Sequence, residues 1–279
     1  MAFITVDGCR LSYEATGEGP PVVFAHECAA DARQWQGQVA ALSGQYRCIV
    51  YNARGYPPSD VPEDDAAYGY TAAWRDLAAI VDEVAGGPAH IVGLSMGAYA
   101  ALMVGLHRPD IVRSLFLAGG GGGSIRQPTG AMAARMADLA RLFTDRGAVA
   151  GAQEIASHPN RTGFRRRDPA GWQIWYDDLA GHSAKGTALT VRNYQGHRPS
   201  LYTFEEALRR LDRPVQLAVG EEDAPCIDIN RFLAQTLPDA ALWMVPNAGH
   251  AINLEAPEAF NDTLAAFLAR AGGKKHGTG

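Results

Sequence analysis

The sequence predicts an α/β fold in which a mostly parallel, doubly wound sheet carries an inserted helical cap. Apolar strand-like runs alternate with helical runs up to residue 123 and again after residue 206, and between these regions the alternation stops. Strands that alternate with helices favour a parallel sheet covered by helices on both faces. We therefore expect a core formed by residues 1–123 and 207–279, and a helical cap formed by residues 124–206.

The predicted strands follow from short apolar runs. Phe3–Val6 and Leu11–Ala15 alternate in polarity around Asp7-Gly8, as the two strands of a hairpin do. Six further runs predict strands of the sheet: Val22–Ala25, Arg47–Tyr51, Ala89–Val92, Ile111–Ala118, Val215–Val219 and Ala241–Val245. Helices are predicted between and after them: Trp35–Leu42, Thr71–Ala85 with Thr71 as its N-cap, and Leu254–Ala271.

The predicted cap contains helices at Ala131–Ala140, Pro169–Ala180 with Asp168 as its N-cap, and Ser183–Tyr194. Open α/β sheets bind ligands beyond the carboxyl ends of their strands, so we expect the cap to lie over those ends. Four of its aromatic residues could line an apolar substrate pocket, or they could form the core of the cap itself: Trp172, Trp175, Tyr176 and Tyr194.

Gly93-Leu94-Ser95-Met96-Gly97 is a G-x-S-x-G sequence between a predicted strand and a helix-like run. This context is typical of a nucleophile elbow, where a sharp turn exposes the serine hydroxyl above the sheet. Flanking glycines allow neighbouring backbone to approach closely. The sequence thus predicts Ser95 as a nucleophile. The five glycines Gly119–Gly123 are expected to let backbone pass close to Ser95 or to act as a hinge.

A serine nucleophile needs a base that takes its proton and an acid that orients the base. Asp223 and His250 lie on loops beyond the last two predicted strands, in the chain order serine, acid, histidine that the motif requires. Glu221 and Glu222 compete for the role of the acid, although they lie closer to the strand end. We expect Asp223 and His250 to complete a catalytic triad with Ser95.

Together these motifs resemble serine hydrolases with the α/β-hydrolase fold, of the small, cap-bearing esterase and lactonase type. Five segments carry the resemblance, which covers nearly the whole chain: Val22–His26, Asn52–Tyr56, Gly93–Gly97, Gly220–Pro225 and Asn247–His250. The resemblance implies hydrolysis of a small carboxylic ester or lactone through an acyl-enzyme. The same fold also serves C–C bond hydrolases of diketone-like substrates and, in a different class, low-turnover ligand-binding receptors, so both remain alternatives.

One position departs from the family pattern, because His26 is followed by Glu27 where such proteins usually have glycine. The resemblance implies an oxyanion hole formed by the backbone amides of Glu27 and Met96. A carboxylate pointing at the oxyanion would oppose its charge, so we expect the Glu27 side chain to turn onto an arginine. The alternative is a functional role, in which it holds a substrate N–H or O–H group or positions water. His26 and Cys28 are further candidates for the substrate pocket.

Composition excludes several classes of function. The net charge of −5 at pH 7 provides no electrostatic reason to bind nucleic acid or an acidic membrane surface. No apolar run reaches the roughly 20 residues of a membrane helix, and residues 1–7 lack the features of a signal peptide. We therefore expect a cytoplasmic enzyme with a small-molecule substrate. The four cysteines lack metal-like spacing, so we expect reduced thiols, no metal site and no cofactor.

Overall fold

The central strands are apolar along their whole length, so the sheet they form is buried on both faces. Every residue of the fifth and seventh strands is buried, which is typical of the interior of a parallel sheet. The computed structural model describes residues 1–126 and 130–273. Within them one sheet has eight strands: β1 (Ala2–Val6), β2 (Cys9–Thr16), β3 (Pro21–Ala25), β4 (Arg47–Tyr51), β5 (Ala89–Leu94), β6 (Val112–Ala118), β7 (Val215–Gly220) and β8 (Ala240–Val245).

The strand order across the sheet is β1-β2-β4-β3-β5-β6-β7-β8. β2 pairs antiparallel with β1 and β4, and all other neighbours are parallel. The chain leaves β3 toward β4 on one side and returns to β5 on the other, so the strand order reverses between β3 and β5. Ligand sites of open α/β sheets lie at such a reversal, beyond the carboxyl ends of the strands. The loops after β3 and β5 therefore meet where a site is expected.

Helices cover both faces of the sheet. In the described residues their bounds are α1 (Gln36–Leu42), α2 (Tyr70–Ile80), α3 (Met96–His107), α4 (Ala131–Ala156), α5 (Pro159–Arg167), α6 (Pro169–Ala180), α7 (Ala184–Leu189), α8 (Glu205–Leu208), α9 (Ala224–Thr236), α10 (Ile252–Glu255) and α11 (Pro257–Gly273). Val23 and Ala25 of β3 pack in one apolar cluster with residues of α2 and α3, whereas Val22 and Phe24 pack in another with residues of α1 and α11. The predicted doubly wound, mostly parallel sheet is therefore confirmed.

All eight predicted strands are present, and their ends differ from the prediction by at most two residues. The helix predicted from Thr71 begins at Tyr70, after Gly69 with a φ of 149°, so Thr71 as its N-cap was wrong. The helix predicted from Ala131 continues to Ala156 across a break at Gly147. Helix α5 was not predicted. Among the described helices, none has the length and apolar character needed to span a bilayer.

Between β6 and β7 the described residues form helices and irregular loops but no strand. Phe164 of α5 and Trp172 of α6 share an apolar cluster with Ala29 and Ala251, which lie in the loops after β3 and β8. α4 and α7 form another cluster, with Cys28 packed against it. This helical segment therefore covers the loops at the carboxyl edge of the sheet. Its division from the core at residues 124 and 206 stays a prediction.

A buried ion pair joins the loop after β4 to α2. Arg54 Nε and Nη2 each donate to Asp76 at 2.6 Å, and Arg54 Nη1 donates to Ala67 O at 2.6 Å. The two side chains are only 8% and 1% exposed. Removing one partner of such a pair leaves a buried charge without its counter-charge, which costs far more than losing a surface pair.

Replacing Asp76 with alanine is therefore expected to lower the free energy of unfolding by about 3–5 kcal/mol. Urea unfolding followed by circular dichroism measures the loss. Asp60→Ala is the matched control, because Asp60 pairs with the exposed Arg10 at the surface, and its loss should stay below about 1 kcal/mol. Similar losses in the two variants would contradict this assignment.

Candidate active site

Ser95 lies in a strained turn between β5 and α3. Its φ of 54° and ψ of −105° are rare for a non-glycine residue, and its N–H donates to Ala118 O at 2.7 Å. The flanking glycines make the turn possible, because a Cβ on Gly93 would overlap the backbone of Gly97, and one on Gly97 would overlap Ala25 O. The backbone at Ser95 thus has the geometry that a nucleophile elbow requires.

Asp223 and His250 are brought together by the loops after β7 and β8. His250 Nδ1 lies 2.6 Å from Asp223 Oδ2, and Asp223 is fully buried. Burial alone would raise the pKa of Asp223, but His250 and Asn160 more than offset it, so the pKa lies below its usual value. The ionised carboxylate is an acceptor for an Nδ1–H group, so this contact fixes the orientation of the imidazole.

Gly119 connects this pair to Ser95. It directly follows Ala118, whose carbonyl accepts the Ser95 N–H. Its φ is 55°, and a Cβ there would lie 3.3 Å from His250 Cε1 and 3.6 Å from Asp223 Oδ2. The backbone beside Ser95 therefore passes along the edge of the imidazole, one of the two roles predicted for this run of glycines. Ser95 Oγ makes no hydrogen bond within the described residues, and such bonds often tighten only when substrate binds.

Helix α5 completes the surroundings of the pair. Asn160 Nδ2 donates to Asp223 Oδ1 at 2.7 Å, and Asn160 O accepts from the His250 N–H at 3.0 Å. His158 Nδ1 lies 2.6 Å from Asn160 Oδ1 and holds the amide. One residue thus bonds both the carboxylate and the histidine loop. The sequence analysis missed this helix because it has no apolar stripe; Pro159 at its first position was the available signal.

The Glu27 side chain pairs with an arginine, as predicted, but it stays close to the site. Arg161 of α5 donates to both carboxylate oxygens, and its guanidinium lies over the Trp175 ring. Burial alone would raise the pKa of Glu27, but Arg161 more than offsets it, so the pKa lies below its usual value. Glu27 Oε2 lies 3.8 Å from His250 Nε2. An ionised carboxylate therefore faces the nitrogen that is expected to act as the base.

The Glu27 amide does not have the role predicted for it. Its N–H donates to Gln34 Oε1 at 3.0 Å, which contradicts its use in an oxyanion hole. Within the described residues, the N–H groups of Cys28 and Met96 make no hydrogen bond. The next amide along the loop, that of Cys28, is therefore the better candidate beside Met96. The Glu27 amide differs from its predicted role because the Gln34 side chain turns back onto the loop and accepts its N–H.

Four residues that were predicted to line a substrate pocket pack against other side chains or the sheet core. Trp172, Trp175 and Tyr176 lie in the apolar cluster of α5 and α6, where Trp172 stacks on Tyr176 with ring centroids 5.2 Å apart. Tyr194 is buried against the sheet core, and its hydroxyl donates to Met96 O at 2.8 Å. Tyr194 also lines a small pocket together with Met96 and Gly97. The assignment of these four residues to a substrate pocket stays a prediction.

His26 bonds the backbone through both of its ring nitrogens, and it lines the same small pocket as Tyr194, so its place in a substrate pocket stays a prediction. Nδ1 lies 2.7 Å from Glu27 O, and Nε2 accepts the Ala53 N–H at 3.0 Å. Burial lowers the pKa of His26, so the ring is neutral, with its proton on Nδ1. It holds the loop after β3 against the loop after β4.

A cavity of about 510 Å³ reaches His250 between α4 and α5. Its α4 wall presents half-buried apolar side chains, with exposed charged ones beside them, and the α5 wall is polar. The lining consists of Arg135, Met136, Asp138, Leu139, Leu142, Glu154, Ile155, His158, Asn160, Arg161 and His250. Cys28 packs against the same apolar cluster as Met136 and Leu139. Burial raises the pKa of its thiol to about 11, so Cys28 lies beside the cavity lining as a neutral thiol.

Cys226 lies beside the catalytic pair predicted above. Asp223, Cys226 and His250 form the one group within the described residues whose spacing would suit a metal ion. However, Cys226 Sγ donates to Gly119 O at 3.3 Å, and Asp223 Oδ2 lies 2.6 Å from His250 Nδ1, so these three side chains have hydrogen-bond partners within the protein. The group is better explained as a hydrogen-bonded Asp–His pair with a neutral thiol next to it. All four cysteines are unpaired.

The fold and this arrangement of loops define a class of protein. The model of the Alpha/beta hydrolase family matches residues 22–263. The chain therefore belongs to this family and is a hydrolase, which confirms the resemblance seen in the sequence.

Individual relatives are similar over nearly their whole length. The chain is 25% identical to 3-oxoadipate enol-lactonase 2 of Acinetobacter baylyi over 270 residues, which is 96% of each chain. It is 27% identical to 2-(acetamidomethylene)succinate hydrolase of Mesorhizobium japonicum, covering 95% of this chain and 94% of that protein. The structure of a thermophilic esterase from Thermogutta terrifontis superposes with a TM-score of 0.86 at 25% identity, covering 97% and 98% of the two chains.

The lowered pKa of Asp223 predicts a specific acid sensitivity of folding. Its stabilising contribution is present above the unfolded pKa of about 3.9 and is lost as the pH falls below that value. When the pH is lowered from about 7 to about 3.5, the free energy of unfolding should decrease in both proteins. The decrease in the parent should exceed that in Asp223→Asn by on the order of 1 kcal/mol. Urea unfolding at both pH values tests this. Asp228→Asn, which changes an exposed carboxylate of α9, should behave like the parent, and an equal loss in all three proteins would contradict the lowered pKa.

Proposed function

We propose that this hydrolase acts on a small carboxylic ester or lactone through a triad of Ser95, His250 and Asp223 and an acyl-enzyme intermediate. The observation that carries the proposal is the buried Asp223–His250 hydrogen bond beside the strained Ser95 turn. A serine hydroxyl needs such an oriented base to become a nucleophile. Relatives named as an enol-lactonase and an esterase support ester and lactone chemistry.

The reaction has two halves. In acylation, His250 Nε2 takes the Ser95 Oγ proton as the oxygen attacks the carbonyl carbon, while Asp223 accepts the Nδ1–H and stabilises the imidazolium. The histidine then protonates the leaving group, and the acyl-enzyme remains. In deacylation, water attacks the Ser95 ester with His250 as the base.

We assign the oxyanion hole to the N–H groups of Cys28 and Met96. The two loops that carry them lie in contact, since Gly97 packs against Ala25 O and His26 O. The Met96 N–H belongs to the first turn of α3, where the helix dipole adds partial positive charge. Backbone donors that point at developing negative charge are usually the largest single contribution to such catalysis.

In this proposal the helical segment between β6 and β7 is a cap that shapes the substrate pocket. The cavity at His250 has half-buried apolar side chains from α4, namely Met136, Leu139, Leu142 and Ile155. Small-molecule pockets are mostly apolar with a few polar groups that orient the ligand. This lining favours a compact acyl group or a lactone ring, with the reacting carbonyl at the His250 end.

Hydrolysis of p-nitrophenyl esters from acetyl to dodecanoyl tests the proposed function. We expect turnover that is highest for short acyl chains and falls on the order of 10³-fold or more in Ser95→Ala, because the nucleophile is lost. A fluorophosphonate should label Ser95 in the parent protein. Labelling without ester turnover would exclude the simple esterase and favour C–C bond hydrolysis, whereas neither labelling nor turnover would favour a receptor role.

Asn160→Ala tests the contribution of α5 to the triad. Losing the hydrogen bond to the buried Asp223 carboxylate should reduce kcat/KM for the best ester by about 10- to 100-fold. Thr162→Ala is the control on the same helix, because its exposed hydroxyl bonds only Pro159 O, and it should retain parental activity. Melting curves by circular dichroism check that both variants are folded, and parental kcat/KM in folded Asn160→Ala would contradict the assignment.

A further inference from the structure

We propose that Glu27, held by Arg161, positions the water molecule that hydrolyses the acyl-enzyme. The proposal rests on the proposed function, because it assigns a role in the second half of the triad reaction.

Two hydrogen-bond acceptors face each other in the site. In the neutral form of His250 that acts as the base, Nδ1–H donates to Asp223 Oδ2 at 2.6 Å. Nε2 then presents a lone pair, and Glu27 Oε2 lies 3.8 Å from it. Neither atom can donate to the other in this state. A water molecule can donate one O–H group to each, since such hydrogen bonds span about 2.8 Å. A lone pair of that water then remains free to attack a carbonyl carbon.

The position of this water suits an attack on the Ser95 ester. The backbone of Gly119 links the Ser95 turn to the edge of the His250 ring. The loop that carries Glu27 packs against the same turn, and the next residue along it is Cys28, which we assign to the oxyanion hole. We therefore infer that a water between Glu27 and Nε2 stands beside the Ser95 turn, where the proposed acyl group is attached.

Arg161 offsets the cost of burying the Glu27 carboxylate near the proposed oxyanion hole. An unpaired anion would oppose the charge of the oxyanion and would be costly to bury. The Glu27 and Arg161 side chains are only 2% and 5% exposed, and the guanidinium donates to both oxygens. An ionised carboxylate offers about four acceptor sites, so it can still receive an O–H group from water. Arg161 keeps Glu27 ionised and weakly basic. Glu27 therefore orients the water, and His250 removes a proton from the water.

The chemical step is balanced with water as the only co-reactant. The water oxygen bonds to the acyl carbon, one of its protons passes to His250 Nε2, and the other stays hydrogen-bonded to Glu27. The bond between the acyl carbon and Ser95 Oγ then breaks, and Oγ takes the proton back from His250. The product leaves as the carboxylic acid. Acylation does not use this water, so the two halves of the reaction should depend differently on Glu27.

Stopped-flow hydrolysis of p-nitrophenyl acetate separates the two halves. Glu27→Gln keeps the size of the side chain and removes its charge. We expect a burst of p-nitrophenol close to one per active site, acylation within about threefold of the parent, and a steady-state kcat lower by about 10²-fold. The acetyl group should accumulate on the Ser95 peptide in mass spectra. Glu27→Asp, which retains the charge on a shorter side chain, should recover part of the deacylation rate.

Two further variants separate this role from a structural one. Glu222→Gln removes another carboxylate that pairs with an arginine of α5, namely Arg167 at 2.7 Å. The acylation and deacylation rates of this variant should both remain parental. The double variant Glu27→Gln/Arg161→Gln removes both buried charges, so it tests the role without leaving Arg161 unpaired. It should show the same burst and slow deacylation.

Equal slowing of both halves, or slowing of acylation alone, in Glu27→Gln and in the folded double variant would overturn the proposal and leave the triad assignment standing. Ester turnover that persists in Ser95→Ala would instead overturn the proposed function itself.

Discussion

The hydrogen bond between His250 Nδ1 and the buried Asp223 carboxylate lies where four parts of the chain meet. Gly119 leaves room for the imidazole beside the Ser95 turn, and Asn160 bonds the second carboxylate oxygen. The histidine loop is fixed in turn, since a side chain at Gly249 would overlap Asn160 O. The loops after β6, β7 and β8 and helix α5 thus depend on one another, and the orientation of the proposed base depends on all of them.

A second buried carboxylate gives this site a different electrostatic character from a simple triad. Asp223 approaches the imidazole at Nδ1, and Glu27 lies near Nε2. Asn160 bonds the Asp223 carboxylate and Arg161 bonds the Glu27 carboxylate, and these two residues are consecutive in α5. A shift of this helix would therefore change both the orientation of the base and the charge that faces its reactive nitrogen. The helical segment thus contributes to the site as well as covering it.

The success of each prediction depended on whether the residues concerned are close together in the sequence. The Ser95 turn was predictable because the strand, the G-x-S-x-G residues and the helix are consecutive in the chain, and a Cβ on Gly93 would overlap the backbone of nearby Gly97. The Glu27 amide was mispredicted because Gln34, in the turn that follows, takes its N–H, and no sequence pattern marks that contact. The aromatic rings of α6 were predictable as apolar, but helical periodicity does not say whether such rings face a cavity or each other.

Periodicity, turn residues and chain order were therefore enough to determine the sheet, the elbow and the order in which Ser95, Asp223 and His250 occur. All of these depend on short stretches of backbone and on the edge of the sheet where parallel strands end. Only the folded chain decided that α5 delivers Asn160 and Arg161, and that Glu27 faces His250 Nε2. Glu27 and Arg161 are 134 residues apart. Such pairing follows from the packing of whole helices, and hydrogen bonds of this kind leave no local pattern in the sequence.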